Sequence, residues 1–150
     1  MNDRISIPPT SMVLGFGPMI LLLLLATGAW LLPPEWQPTA VTAGWLFGAA
    51  ILIFLGGITR GLSFMAPGGA RPAQLAQMLW LTTLGFGALL APFGIAFVLL
   101  PLGYASVGLF DPPAARAGLA PTHFRRLRPP QMTIGVAALF VLLARVLLRG

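Results

Sequence analysis

QLAQMLWLTTLGFGALLAPFGIAFVLLPLGYASVGLF, residues 74–110, is apolar almost throughout and carries no charged side chain. As one helix, its 37 residues would extend about 55 Å, nearly twice the ~30 Å hydrocarbon core of a bilayer. As two short helices it breaks at Ala91-Pro92-Phe93-Gly94, where proline and glycine favour a turn. The choice fixes how many times the chain crosses a membrane, and so which polar segments share a side.

Charge placement separates the alternatives. With two helices here, the chain has five spans, over residues 12–32, 39–64, 74–91, 94–110 and 131–148. The amino terminus, the loop at Arg71 and a basic loop over residues 111–130 then lie together. That side gathers Arg4, Arg60, Arg71, Arg116, Arg125, Arg126 and Arg128, while Glu35, Arg145 and Arg149 fall on the other. With only four spans the cluster from Arg116 to Arg128 would move away from Arg4 and Arg71. The excess of basic residues on cytoplasmic loops therefore predicts five helices, amino terminus in the cytoplasm and carboxyl terminus outside. Prolines at the span edges (Pro33-Pro34, Pro67, Pro72, Pro129-Pro130) suit helix starts and stops, where a missing N–H costs little.

Composition identifies the solvent. Of 150 residues, 57% are hydrophobic and 8% charged, with mean hydropathy +0.90. Soluble domains are about a quarter charged, and a chain this small could not hide so much apolar surface from water. The expectation is an all-α, polytopic membrane bundle forming a single integral-membrane domain. Residues 12–32 make a mainly apolar run of 21 residues, longer than the roughly 7–15 of a signal-peptide core, and read as an uncleaved span.

The chain has no cysteine, which excludes disulfides, thiolate metal sites and cysteine nucleophiles. Its net charge of +6 comes entirely from arginine and points to anionic lipid headgroups at the cytoplasmic face. No compact polar domain is left to read nucleic acid. Within residues 111–130, Phe124 and Leu127 are three apart among Arg125, Arg126 and Arg128. That pattern predicts an interfacial turn, apolar side chains dipping and arginines on phosphates.

FLGGITRG, residues 54–61, places glycines where helices in lipid need close backbone approach. The second span carries two G-x-x-x-G units, Gly44 with Gly48 and Gly57 with Gly61, and Gly48, Gly56 and Gly57 fall near one helical face. These glycines serve packing inside the bundle or docking against another protein. Arg60 either snorkels to headgroups or pairs with Asp111 at the same membrane face. Arg145, inside the last apolar run, either pairs with Glu35 or reaches lipid phosphate.

FLGGITRG resembles the F-L-G-G-[I/V]-x-W-G signature of the transmembrane protein 69 family, a bacterial and mitochondrial family of unknown function. GLAPTHFRRLRPPQMT, residues 118–133, is similar to that family's segment before its final helix, G-L-x-P-x-[W/F]-[Y/F]-x-x-L-R…T. With the order of spans, the resemblance covers nearly the whole chain. Arg60 stands where the family pattern has tryptophan, and Thr59 where it has histidine or arginine, so no role of that basic residue is carried over. The resemblance implies a fold rather than a reaction.

Catalysis needs positioned titratable groups or an activated nucleophile. The three acids fall at span ends or in tails, and His123 is the single histidine, which rules out a bis-histidine haem within the chain. No carboxylate lies inside a span, which weighs against proton- or sodium-coupled transport. No cofactor, metal or enzymatic activity is expected. Small size, glycine faces and the lack of catalytic groups predict a non-catalytic accessory subunit or assembly factor of a larger membrane complex, with a small channel or carrier for an uncharged solute or lipid as the alternative. The spread of the family that the chain resembles implies a bacterial inner membrane, with a respiratory or photosynthetic electron-transport complex as the expected partner.

Overall fold

The computed structural model describes residues 6–149. Arg4, expected at the basic side, lies outside them. Five helices follow one another: α1 (Pro9–Leu31), α2 (Gln37–Phe64), α3 (Pro72–Leu90), α4 (Phe93–Arg116) and α5 (Phe124–Arg149). All five are long and apolar enough to cross a membrane, and no strand occurs among the described residues. The stretch that decided the count is broken where expected, Ala91 and Pro92 being extended between α3 and α4.

Proline shapes the starts. Pro9 and Pro72 stand at the first positions of α1 and α3, where their missing N–H would have had no partner. Between α2 and α3 the chain turns through Gly68 (φ 78°) and Gly69 (φ 94°), left-handed conformations that side chains resist.

Successive helices run antiparallel, and α5 returns beside α1, closing a ring in which α2 also touches α4 and α5. Met19, Leu22, Leu52, Leu81, Phe97, Leu100, Tyr104, Leu139 and Leu142 fill the centre and are essentially inaccessible. The Tyr104 hydroxyl donates to the Gly48 carbonyl at 3.1 Å, so its burial leaves no polar atom unpaired. The outer surface is the reverse of a water-soluble one: Leu14 is 75% exposed, Phe54 66% and Leu90 88%. Such a coat is stable only in hydrocarbon. One end of the bundle gathers Arg60, Arg71, Arg116, Arg125, Arg126 and Arg128; Glu35, Arg145 and Arg149 occupy the opposite end.

The last two helices correct the sequence reading. The basic loop expected over residues 111–130 is confined to 117–123, because α4 continues through Pro112-Pro113 and α5 begins before Pro129-Pro130. Each proline removes a helical donor, a loss that usually ends a helix. Here the flanking turns are held by contacts outside their own ladder. Leu127 and Arg128 are buried, Asp111 faces Arg128, and Gln131 bonds to α1.

Candidate functional site

The polar chemistry of the arginine-rich end converges on Asp111, in the last turns of α4, and Arg128, early in α5. Arg128 Nε lies 2.9 Å from Asp111 Oδ2, with the two side chains only 5% and 12% exposed. The approach is a close ion pair rather than a linear hydrogen bond. The other carboxylate oxygen accepts from Gln77 Nε2 of α3 at 2.8 Å. Arg128 Nη1 donates to Gln131 Oε1 at 3.1 Å, and Gln131 Nε2 donates to the Gly15 carbonyl of α1 at 2.9 Å. The guanidinium lies 4.3 Å from the centre of the Phe124 ring. The chain of contacts thus joins α3, α4, α5 and α1. An isolated charge here would be severely penalised, whereas a paired and hydrogen-bonded one is tolerated. Each carboxylate oxygen has one partner, Arg128 for Oδ2 and Gln77 for Oδ1, and the pair is largely screened from water, so it clamps α3, α4 and α5 together.

Several expectations are corrected by this geometry. Asp111 pairs with Arg128, not Arg60. Arg60 instead donates from Nη1 to Ser63 Oγ at 3.2 Å and stacks 4.1 Å from the Phe64 ring centre, on its own helix. Position explains the difference: a residue three further along a helix is within reach of a long side chain without any tertiary movement. Leu127 and Arg128 turn into the bundle rather than toward lipid, while Arg125 and Arg126 stay exposed. At the opposite end Arg145 does not meet Glu35, which is exposed. Arg145 Nε donates to the Ala29 carbonyl at 2.9 Å, and Nη2 to Gln37 Oε1 at 3.0 Å. Ala29 lies in the last turn of α1, where carbonyls lack helical partners and carry partial negative charge, so a guanidinium settles there readily.

The glycines divide. A Cβ on Gly44 would meet Leu142 Cδ1 at 2.7 Å, one on Gly48 would meet Leu139 Cδ2 at 3.2 Å, and one on Gly56 would meet Thr82 Oγ1 at 2.6 Å and the Met78 carbonyl at 3.2 Å. These three are where α5, α4 and α3 close on α2. Gly57 and Gly61 have nothing within 4 Å of such a Cβ and face outward.

Beside the ion pair, α3 and α4 diverge to leave a lateral groove of about 870 Å³. Trp80, Leu102, Leu109 and Phe110 are among its walls, with Gln74, Gln77 and Ser106 along its length. Sequence reasoning missed this groove and the Asp111–Arg128 pair. The available signals were Gln74 and Gln77, amides three apart in an apolar helix, and Arg128 three residues before Gln131. Among the described residues, no group of three His, Cys, Asp or Glu side chains could hold a metal ion. Comparison with protein-family models, curated proteins and solved structures returns no match.

Proposed function

We propose that this chain is a non-catalytic subunit or assembly factor that docks onto a larger integral-membrane complex through the outer face of α2. The observation behind this reading is the open pair Gly57 and Gly61. Glycine inside a helix costs about 1 kcal/mol relative to alanine. Gly44, Gly48 and Gly56 recover that cost through close contacts within the bundle; Gly57 and Gly61 make none. In lipid, outward glycines let a second backbone approach closely, and that approach drives association. The filled centre around Phe97, Leu100 and Tyr104 favours this reading over a channel.

The resemblance to the transmembrane protein 69 family, and its bacterial and mitochondrial spread, extends the proposal to a bacterial inner membrane, with the arginine-rich end in the cytoplasm. An electron-transport complex, respiratory or photosynthetic, is the partner that reading favours. Purification in mild detergent through an amino-terminal tag tests it. Stoichiometric recovery with one membrane complex, lost in Gly57→Leu/Gly61→Leu but kept in the exposed control Phe140→Leu, is the expected result. A lone homo-oligomer, or recovery indifferent to the glycine substitutions, refutes it.

A further inference from the structure

We propose that the groove between α3 and α4 holds an acyl chain of an anionic phospholipid, with its phosphate at Arg71 and Arg116. The groove's volume, about 870 Å³, falls within the ~300–1,000 Å³ of ligand sites. It opens sideways from the bundle, toward the hydrocarbon that surrounds exposed Leu102, Leu109 and Phe110. Small side chains, Ala76 and Ala105 among them, keep it open.

Each of its polar side chains has a hydrogen-bond partner within the protein. Gln74 accepts from the Arg71 backbone N–H at 3.1 Å and donates to the Leu119 carbonyl at 3.3 Å. Gln77 donates to Asp111, Trp80 Nε1 donates to Ser106 Oγ at 3.3 Å, and that hydroxyl donates to the Gly103 carbonyl at 2.6 Å. The site therefore suits a chain with no hydrogen-bonding demand better than a polar solute.

Charge selects the head. Arg71 immediately precedes α3, two residues before the lining residue Ala73, and Arg116 precedes the lining residue Ala117. Both arginines are exposed at the headgroup end. No exposed acid opposes them among the described residues, since Asp111 is buried against Arg128 and Glu35 lies at the far end. An arginine near an anionic surface favours it about fivefold, so two set a preference on the order of 25-fold. The site is separate from Gly57 and Gly61 on α2 and stands independently of the docking proposal.

Native mass spectrometry of the purified full chain in mild detergent tests this, with phosphatidylglycerol and phosphatidylcholine of identical chains as probes. The wild type is expected to retain one phosphatidylglycerol with on the order of 25-fold preference. Arg71→Gln/Arg116→Gln, both at exposed positions, should abolish the preference. Ala76→Phe, filling the groove from an exposed position, should reduce retention of both lipids, and circular dichroism checks that each variant is folded. Glycerol phosphate, the head without a chain, should not displace the lipid. Equal retention of the two lipids by the wild type overturns the proposal. So does unchanged retention in folded Ala76→Phe, displacement by glycerol phosphate, or a dimer that Ala76→Phe dissolves without loss of lipid.

Discussion

Replacing Asp111 with asparagine keeps the size of the side chain and the acceptor for Gln77, and removes only the charge facing Arg128. In the structure that charge lies 2.9 Å from Nε, and Arg128 is held between Phe124 and Gln131, so the guanidinium has no short path to water. Two unit charges about 4 Å apart interact by ~4 kcal/mol at an effective dielectric constant near 20, and removing one partner of a buried pair costs about 3–5 kcal/mol. Asp111→Asn is therefore expected to destabilise the bundle by about 3–5 kcal/mol. Arg128→Met should cost a similar amount. The double variant Asp111→Asn/Arg128→Met should cost no more than either single variant, because it leaves neither charge stranded. Reversible unfolding in mixed micelles, followed by circular dichroism, measures all four corners of the cycle. The wild-type pair should also be nearly indifferent to salt, since buried charges are little screened. A loss below about 1 kcal/mol for Asp111→Asn, or additive single losses, would refute the clamp.

The glycines of α2 should respond in opposite directions. Gly56→Ala forces a Cβ against Thr82 and the Met78 carbonyl and is expected to cost about 1–3 kcal/mol, while Gly57→Ala should stabilise the isolated chain by up to about 1 kcal/mol in the same unfolding assay. Arg145→Gln removes charge-assisted bonds to Ala29 and Gln37 and should cost about 1.5–3 kcal/mol; Glu35→Gln, at an exposed position, should stay within about 0.5 kcal/mol of wild type. The absence of cysteine makes topology directly measurable. Single cysteines at Ala70 and Ala120 should label from one side of sealed vesicles and a cysteine at Pro34 from the other, and labelling of all three from one side would remove the five-span arrangement.

Much of the fold was readable because it depends on quantities that sum along the chain. Apolar length set the number of helices, and the break at Ala91-Pro92 was legible because no single helix of that length fits a bilayer. Gly44, Gly48 and Gly56 were legible as packing positions because side-chain spacing on a helix is fixed by its pitch. The same spacing could not separate Gly56 from its neighbour Gly57, since adjacent residues differ by about 100° of rotation and only the placement of α3 decides which one is covered. The prolines misled for a related reason. Pro112-Pro113 and Pro129-Pro130 have a definite local cost, but contacts with α3 and α1 and between α4 and α5 themselves outweigh it.

What the sequence by itself determined is the solvent, the count of helices and the gathering of arginines at one end, all properties of composition and order. Which acid met which arginine was decided only by tertiary structure. Asp111 had several cations near it in sequence terms, and the choice of Arg128 over Arg60 depended on α4 and α5 lying side by side with Gln77 of α3 against them. Charge pairing in a low-dielectric interior acts over a few ångströms, and such distances do not exist until the helices have packed.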